Sequence, residues 1–303
     1  MYIEDLKKAI SDGKFDEQFK MLTCLEDVTK EKERYLDLLG KALNKFGNVD
    51  AHLITAPGRT EVGGNHTDHQ LGRVLAASVN MDIACVVCKC DDVCEYYADD
   101  FEVKPVRIDD LAIREDEKST SEGLIRGTLY RFKELGYKIG GFKAYTHSTV
   151  LKGSGISSSA AFEVLLGNIL SHLYNDGSVD PITIAKVGQF AENNYFMKAS
   201  GLMDQMASSI GGFVTVDFYD KENPKVEKID FDFAHSDLTL CIVDTRGDHA
   251  DLADEYSLMP IEMKEVAKAL GQDVLSRVRK EDIIANIKIL REKLSDRAIL
   301  RAL

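Results

Sequence analysis

The sequence predicts an α+β fold, and three observations support that prediction. Stretches rich in β-branched and apolar residues, such as VLAASVNMDIACVVCKC (74–90), read as strands, whereas SEGLIRGTLYRFKELG (121–136) has the spacing of a helix. The neighbouring stretches FVTVDF (213–218) and KVEKIDFDF (225–233) are predicted to pair as a hairpin. With 303 residues, 44% of them hydrophobic, the chain has room for two domains or one large one. Paired strands mixed with long helices are typical of the α+β class.

The first third of the chain begins with helices and continues into strands. Residues 1–47 have amphipathic helical spacing that ends at Gly47. LITAPGRTEVGGNHTDH (53–69) opens as a short apolar strand and is predicted to break into a loop at its proline and glycines. The stretch 74–90 reads as one or two buried strands, and ADDFEVKPVRIDD (98–110) reads as polar strands with turns.

The remaining two thirds alternate helices and strands around a glycine- and serine-rich turn. Ser121 is the candidate cap of helix 121–136, Gly136 is its candidate end, and Asp180 followed by Pro181 is typical of a helix start. The other expected elements are a strand at 141–150, a helix from Pro181 to about Lys198, a short helix at 201–212, an apolar strand at DLTLCIVDT (237–245) and a charged helical tail from about 251 to 303 interrupted at Pro260.

Charge and hydropathy exclude several classes of protein. A net charge of −13 argues against a nucleic-acid partner or an anionic membrane surface, both of which attract basic proteins. No apolar run approaches the roughly 20 residues of a membrane span, and the first ten residues, MYIEDLKKAI, have no signal-peptide core. We therefore expect a cytoplasmic protein with no membrane partner.

Four of the six cysteines lie close together in CVVCKCDDVC, at Cys85, Cys88, Cys90 and Cys94. This spacing suggests a metal knuckle, but strand alternation places Cys85 and Cys88 on opposite faces. Buried free cysteine behaves as a small hydrophobe. We interpret the group as sheet residues rather than zinc ligands or disulfides.

The stretch LKGSGISSSAAFEVLLGNILSHLY (151–174) is the central motif of the sequence. Gly153 and Gly155 flank Ser154, three serines follow at 157–159, and a helical apolar run begins directly after them. A glycine-rich turn that enters a helix N-terminus presents unpaired N–H groups, which can hold phosphate. The alternative is an ordinary serine cap. The P-loop pattern is absent, and G-x-G-x-x-G is not completed.

Two further groups of polar residues are candidates for chemistry. Arg59, Asn65, His66 and Asp68 lie among glycines in 56–69, a composition that favours a polar pocket over a core, although a solvated loop with a local ion pair is the alternative; the neighbouring His69 is assigned to that alternative. Asp204 opens the short helix 201–212 and can be a general base or a helix-dipole partner. Glu192, on the preceding helix, can be a second acid, a metal ligand or an ordinary surface glutamate.

These stretches together carry a family resemblance. APGRTEVGGNHTDH, LKGSGISSSAA, AENNYF…GLMDQ and DTRGDHADLADEY occur in the order and approximate spacing found in galactokinases, which are sugar kinases of the GHMP superfamily. The resemblance extends from about Phe46 to the end of the chain. It implies a GHMP kinase fold, with residues 1–235 resembling the ribosomal protein S5 domain 2 fold (1–47 as a helical extension) and 236–303 beginning a ferredoxin-like C-terminal domain.

The resemblance also implies ATP and Mg²⁺ as cofactors, galactose as substrate and a role for each matching residue. Asp204 is implied to be the base beside the anomeric hydroxyl of the sugar, and Arg59 to keep it ionised and to stabilise charge on the phosphoryl group. Glu192 is implied to bind Mg²⁺, and Ser158 to contact the phosphate–Mg²⁺ unit. The residues implied to hold the ATP phosphates are Gly153, Ser154, Gly155, Ser157, Ser158 and Ser159. Those implied to hold the sugar are Asn65, His66, Asp68, Gly201 and Tyr256.

The sequence departs from the family pattern at three places. Asn65 stands where a glutamate is usual, and Thr60–Glu61–Val62–Gly63 stands where Val-Asn-Leu-Ile is usual, so the identity of the sugar is left open. The third glycine-rich motif of the family is absent, and an incomplete domain would leave Leu290, Leu294 and Leu300 without partners. We therefore expect a fragment that is weak or inactive as a kinase, with an active full-length parent.

Three functions follow from this reading. The first is an ATP-dependent sugar 1-kinase acting on galactose, expected as a monomer or weak homodimer. The second is a catalytically silent galactose- and ATP-binding sensor, and the third is a kinase for an amino sugar such as N-acetylgalactosamine. The intact serines at 157–159, together with Arg59 and Asp204, favour the enzyme over the sensor.

Overall fold

The computed structural model describes the chain apart from residues 65, 100–101, 151–154, 199, 221, 232–235, 237, 239 and 244–252, and apart from the side chains of 253, 254, 256 and 257. The described residues form seven strands and eleven α-helices. The strands are β1 (His52–Gly63), β2 (Arg73–Cys90), β3 (Val93–Ala98), β4 (Val106–Arg107), β5 (Gly141–Ser148), β6 (Phe213–Asp217) and β7 (Lys225–Ile229). The helices are α1 (Ile3–Ser11), α2 (Asp16–Thr23), α3 (Thr29–Phe46), α4 (Ser121–Glu134), α5 (Ser158–Tyr174), α6 (Pro181–Asn194), α7 (Met203–Ile210), α8 (Ala253–Ala269), α9 (Lys280–Ala285), α10 (Ile287–Arg291) and α11 (Asp296–Ala302).

The long strand β2 organises the sheet. One edge of β2 pairs with β1, while its other edge pairs with β6 at residues 73–77 and with β5 at residues 83–90. β3 joins β5 in parallel, whereas β4 pairs with β3 and β7 with β6 in antiparallel fashion. The stretch 74–90 is thus a single strand, and β6–β7 is the predicted hairpin. The predicted α+β class is confirmed.

Helices cover both faces of this sheet. α4, α5 and α6 pack on one face in a hydrophobic cluster that includes Cys85, Leu165 and Ile169. α1, α2 and α3 pack on the other face in a cluster that includes Leu38, Val86 and Cys88. The prediction that Cys85 and Cys88 face opposite sides is therefore confirmed. Since all six cysteines are free and Cys85, Cys88 and Cys94 are buried, these three contribute to the sheet as small hydrophobes.

Helix termini follow local sequence signals at several places. Gly47 follows the last residue of α3, Gly136 follows the end of α4 with φ of +86°, and Asp180 caps α6 by accepting a hydrogen bond from the Thr183 N–H. The predicted cap Ser121 is wrong by one residue, because the Thr120 hydroxyl accepts the hydrogen bond from the Gly123 N–H.

Proline positions account for two wrong predictions. β1 does not break at Pro57 but continues to Gly63, because an irregularity in register between Pro57 and Arg59 accommodates the proline, which has no N–H to donate. α8 likewise continues through Pro260, which removes one helical hydrogen bond without ending the helix.

Two other predicted elements differ from the structure. α6 ends at Asn194 rather than near Lys198. Of the strand predicted at 237–245, positions 237, 239, 244 and 245 lie outside the described residues, and the described positions are not in a strand.

The C-terminal helices form a hydrophobic cluster of their own around Val266, Ile283 and Leu290. Leu290 is 1% exposed and Leu294 packs against the same cluster, so the prediction that both lack partners is wrong, whereas Leu300 is 74% exposed. Gln70, between β1 and β2, connects this cluster to the rest of the chain by accepting a hydrogen bond from the Leu275 N–H. Among the described helices, none is both long enough and apolar enough to cross a bilayer.

Candidate functional site

The site is built around an arginine–carboxylate pair that joins two distant parts of the chain. Arg59 on β1 donates from Nε to Asp204 Oδ1 and from Nη2 to Asp204 Oδ2, both at 2.7 Å. The two side chains form a bidentate ion pair, the geometry in which an arginine–carboxylate contact is strongest. The guanidinium is nearly buried, whereas 28% of the Asp204 side chain is exposed. Asp204 can therefore contact a ligand while Arg59 holds it.

Arg59 is positioned by the turn that precedes α5. Its backbone N–H donates to the Ile156 carbonyl at 3.0 Å, and its Nη1 donates to the Gly155 carbonyl at 2.5 Å. This contact requires glycine at position 58, because a Cβ there would lie 2.9 Å from the Ile156 oxygen. The strand predicted to break at Pro57 thus carries Arg59 directly against the glycine- and serine-rich turn.

Ser157 immediately precedes α5, and its side chain does not cap the helix. It adopts the left-handed conformation with φ of 61°, and its hydroxyl donates to Asp204 Oδ2 at 2.5 Å instead of accepting from the helix. Among the described residues no side chain caps the N-terminus of this 17-residue helix. The N–H groups of its first turn, together with the positive end of the helix dipole, are suited to an anion such as phosphate.

A second cluster of polar side chains lies on the other side of the α5 N-terminus. Glu192 on α6 is 2% exposed, and its Oε1 accepts from Ser159 Oγ at 3.1 Å and from Lys198 Nζ at 3.0 Å. Its Oε2 accepts from Gln205 Nε2 at 2.9 Å, and the same amide nitrogen donates to Glu163 Oε2 at 2.9 Å. Gln205 follows Asp204 in α7, so one helical turn contacts both halves of the site.

Glu163 is fully buried in α5, within a run of apolar residues. Burial raises the pKa of Glu163 well above its ordinary value, and the neighbouring Glu192 carboxylate raises the pKa further. Since its folded-state pKa lies above the unfolded-state value, folding favours the protonated form of this carboxyl. Its contribution to stability is complete below the unfolded-state pKa and is lost as the pH rises toward the folded-state pKa.

We expect Glu163→Gln to flatten the pH dependence of stability at neutral pH. At pH values between the unfolded-state and folded-state pKa of Glu163, this carboxyl is protonated only in the folded chain. In that range the free energy of unfolding of the wild-type chain falls by up to about 1.4 kcal/mol for each unit by which the pH rises. Glutamine has nearly the same shape and does not titrate, so this slope is removed. Denaturant unfolding between pH 5 and 8 measures it, with the exposed Glu292→Gln as a control for the same chemical change. Parallel profiles for wild type and Glu163→Gln would contradict the assignment.

The loop between β1 and β2 brings Asp68 against the start of α7. A Cβ at Gly201 would lie 1.7 Å from Asp68 Oδ2, so glycine at this position is required by the approach of that carboxylate. His66 is buried and has φ of 59°, and burial lowers the pKa of its imidazole below the ordinary value. The loop thus places one acceptor carboxylate and one imidazole on the Asp204 side of the site.

Glu61 lies two residues beyond Arg59 on β1 and is half-buried. Burial raises the pKa of its carboxyl, Arg59 lowers it, and Asp204 and Asp68 raise it, so this side chain lies within the electrostatic reach of all three. The departure from the family pattern at this position therefore changes the charge beside the arginine–carboxylate pair.

The structure brings together most of the residues that the sequence nominated. Arg59, Gly155, Ser157 and Asp204 are joined by direct hydrogen bonds, Ser159 is bonded to Glu192, and Gly201 is against Asp68. Ser158, the first residue of α5, is partly exposed beside them. The candidates outside the described residues are Asn65, Gly153, Ser154 and the side chain of Tyr256.

Three residues of the cluster were not identified from the sequence: Glu163, Lys198 and Gln205. A signal existed for Glu163, since an ionisable residue inside the apolar run FEVLLGNIL is costly to bury without partners. Gln205 had the weaker signal of adjacency to Asp204. No local pattern marks Lys198, because its contact depends on the turn after α6.

The donor set of this site fits a nucleotide with a hard divalent cation. Glu192 supplies a carboxylate, and the serine hydroxyls at the start of α5 supply neutral oxygens, which are the ligand types preferred by Mg²⁺. Among the described residues no group of three His, Cys, Asp or Glu side chains could hold a metal alone. In proteins Mg²⁺ usually takes one or two carboxylates and otherwise phosphates and water.

Comparison with known proteins assigns both halves of the site to one family. The model of the GHMP kinases N-terminal domain matches residues 123–212, which include the α5 N-terminus, Glu192 and Asp204. The galactokinase galactose-binding signature matches residues 43–89, which include Arg59 and Asp68. The chain is 32% identical over 259 residues to a galactokinase of Streptomyces coelicolor, and 29% identical over 235 residues to one of Pyrococcus furiosus.

These alignments cover 84% and 76% of this chain, and 66% and 63% of the two relatives, so the chain spans less than two thirds of each. The solved structure of Lactococcus lactis galactokinase complexed with galactose superposes with a TM-score of 0.72 at 21% identity, covering 89% of this chain and 70% of that one. Methanococcus jannaschii mevalonate kinase superposes with a TM-score of 0.53 at 15% identity, covering 84% and 77%. At these identities the two superpositions show a shared fold. The family predicted from the four motifs is confirmed: residues 123–212 form a GHMP kinase N-terminal domain, and the sequence of the chain is similar to galactokinases.

Proposed function

We propose that this protein is an ATP-dependent sugar 1-kinase that converts galactose to galactose 1-phosphate. The observation that carries the proposal is the Arg59–Asp204 pair beside the uncapped N-terminus of α5. A carboxylate that can take a proton from a hydroxyl then lies next to a site suited to phosphate. Phosphoryl transfer requires this combination of positioning and charge stabilisation rather than covalent catalysis.

In this proposal each side of the pair has its own task. Asp204, partly exposed and fixed by Arg59 and Ser157, accepts the proton of the anomeric hydroxyl as that oxygen attacks the γ-phosphorus of ATP. The bond from the γ-phosphorus to the bridging oxygen breaks, and ADP leaves. The Arg59 guanidinium stabilises negative charge that develops on the transferring group. Asp68 and His66 hold the sugar hydroxyls by hydrogen bonds. Tyr256 completes this set by its match to a family motif, and Asn65 by its position in one, where a glutamate is usual.

On the nucleotide side, the first turn of α5 and its preceding glycines bind the ATP phosphates. Glu192 and Ser158 would hold Mg²⁺, which when bound neutralises phosphate charge.

The proposed partner is a small neutral sugar rather than nucleic acid, in keeping with the net charge of −13. Because the reaction consumes ATP, we propose that the protein acts in the cytoplasm. We further propose a monomer or weak homodimer with a domain at 1–235 and a second one beginning at 236, since the helices after 253 have a separate hydrophobic cluster.

We expect phosphorylation by this chain to be weak and to favour galactose over N-acetylgalactosamine, glucose and mannose when each is incubated with ATP and Mg²⁺. Sugar phosphate is measured directly, and the thermal stability of the chain is measured with each sugar in parallel. Product from galactose supports the proposal. Product from N-acetylgalactosamine alone replaces galactose by an amino sugar, and stabilisation by galactose without product from any sugar replaces the kinase by a sensor. Neither product nor stabilisation with any sugar overturns the proposal.

A further inference from the structure

Lys198 lies in the short connection between α6 and α7 and folds back over the end of α6. Met197, just before it, has φ of 60°, a left-handed conformation that non-glycine residues seldom adopt. The Lys198 N–H then donates to the Glu192 carbonyl at 3.1 Å, and the Lys198 ammonium lies 3.0 Å from Glu192 Oε1. Backbone and side chain of one lysine thus contact one glutamate, which fixes where the ammonium lies.

The hydrogen bonds of Glu192 determine from which side a second cation can reach its carboxylate. Oε2 faces Gln205, which is fully buried, while Oε1 accepts from Ser159 and Lys198 and so has both lone pairs engaged. Of the two donors to Oε1, Lys198 is on the solvent side, with 55% of its side chain exposed. A second cation that comes from the nucleotide side and binds Oε1 must therefore take the place of the Lys198 ammonium.

Charge explains why such a lysine is useful when no other cation is present. Glu192 is almost fully buried, and a buried carboxylate without a counter-charge is strongly destabilising. The Lys198 ammonium, 3.0 Å from Glu192 Oε1, supplies that counter-charge. Its long, flexible stem lets the ammonium leave for solvent without moving the backbone.

We propose that Lys198 is the resident counter-ion of Glu192 and competes with the divalent cation of the nucleotide for Oε1, so that it sets how much free Mg²⁺ the site requires. This inference rests on the proposed function, because that function makes Glu192 a Mg²⁺ ligand. Lys198 acts here as a positioning and charge-balancing residue; no contact with the substrate is assigned to it.

The test is a Mg²⁺ titration of thermal unfolding in the presence of ADP, with Lys198→Met, Lys198→Arg and wild type. Without Mg²⁺ we expect Lys198→Met to unfold at a lower temperature than wild type, because Glu192 loses its counter-charge. With ADP we expect its midpoint Mg²⁺ concentration to fall by about five-fold, as removal of an ion pair of this exposure implies. Lys198→Arg keeps the charge and should have a midpoint at or above that of wild type.

Lys186→Met is the matched control, because it makes the same change in charge at a lysine whose Nζ donates to the Glu222 carbonyl away from Glu192. A midpoint for Lys198→Met equal to or above that of wild type overturns the competition. If wild type with ADP shows no response to Mg²⁺, or if Glu192→Gln responds as wild type does, the metal role of Glu192 in the proposed function is wrong, and the Lys198 inference falls with it. The two failures are thus distinguishable.

Discussion

Asp204→Asn should reduce the turnover of sugar by about 10²- to 10⁴-fold, the range expected for loss of a general base. Asparagine has nearly the same shape as aspartate but cannot take a proton from the attacking hydroxyl. It also disturbs the pair, since Asp204 accepts three hydrogen bonds, two from Arg59 and one from Ser157, and an amide replaces one acceptor oxygen by a donor. Sugar binding, which depends mainly on other groups, should change little.

Steady-state kinetics and direct titration of sugar binding by calorimetry measure these two effects separately. Asp176→Asn is a suitable control, because it makes the same chemical change at an exposed position remote from the site. If Asp204→Asn keeps turnover within about ten-fold of wild type, Asp204 is not the base, and electrostatic stabilisation by Arg59 must account for the rate. If turnover and sugar affinity fall together, Asp204 contributes chiefly to binding.

Local sequence signals predicted features that are decided locally. Three such features depend on residues only a few positions apart: the start of α6 at Asp180–Pro181, the end of α3 at Gly47 and the β6–β7 hairpin. The same rules failed at Pro57 and Pro260, where the surrounding structure decides whether a proline ends an element. At Pro57 the partner strand β2 accommodates the irregularity, and Arg59 therefore lies in a strand rather than in the predicted loop.

Contacts between remote segments followed from the motif resemblance or were not predicted at all. Arg59 and Asp204 are 145 positions apart, and only the match of both motifs to one family suggested that they meet. The contact of Gln205 with Glu163 and Glu192 joins three helices, so no pairwise pattern in the sequence predicts it. The family resemblance predicts a sugar-binding role for Gly201. In the structure, glycine is required at this position because the Asp68 carboxylate approaches too closely for a Cβ.

Arg59→Met should cost both stability and turnover, and a second substitution can separate the two. Removal of one partner from a buried ion pair costs about 3–5 kcal/mol. Here we expect about 1–3 kcal/mol in the free energy of unfolding, because the Asp204 side chain is 28% exposed and water can solvate it once the arginine is gone. Turnover should fall by at least about 10²-fold, since the guanidinium no longer stabilises the transferring group.

The surface pair Arg107–Asp109 gives a matched control. It has the same two-bond geometry, with donor–acceptor distances of 2.9 and 2.8 Å, but both side chains are 62% exposed. Arg107→Met should therefore change the free energy of unfolding by less than about 1 kcal/mol. A similar loss for both variants would mean that the Arg59 pair stabilises the fold no more than a surface pair does.

Arg59→Met combined with Asp204→Leu should recover most of the lost stability, because it replaces a broken ion pair by apolar side chains of similar size. The double variant should nevertheless remain inactive, having neither base nor guanidinium. Arg59→Lys provides the complementary comparison, since its single ammonium keeps the charge but cannot reproduce the bonds to both Asp204 oxygens and to the Gly155 carbonyl. If Arg59→Lys retains full turnover, charge alone suffices; if it falls with Arg59→Met, the fixed geometry of the guanidinium is required for transfer.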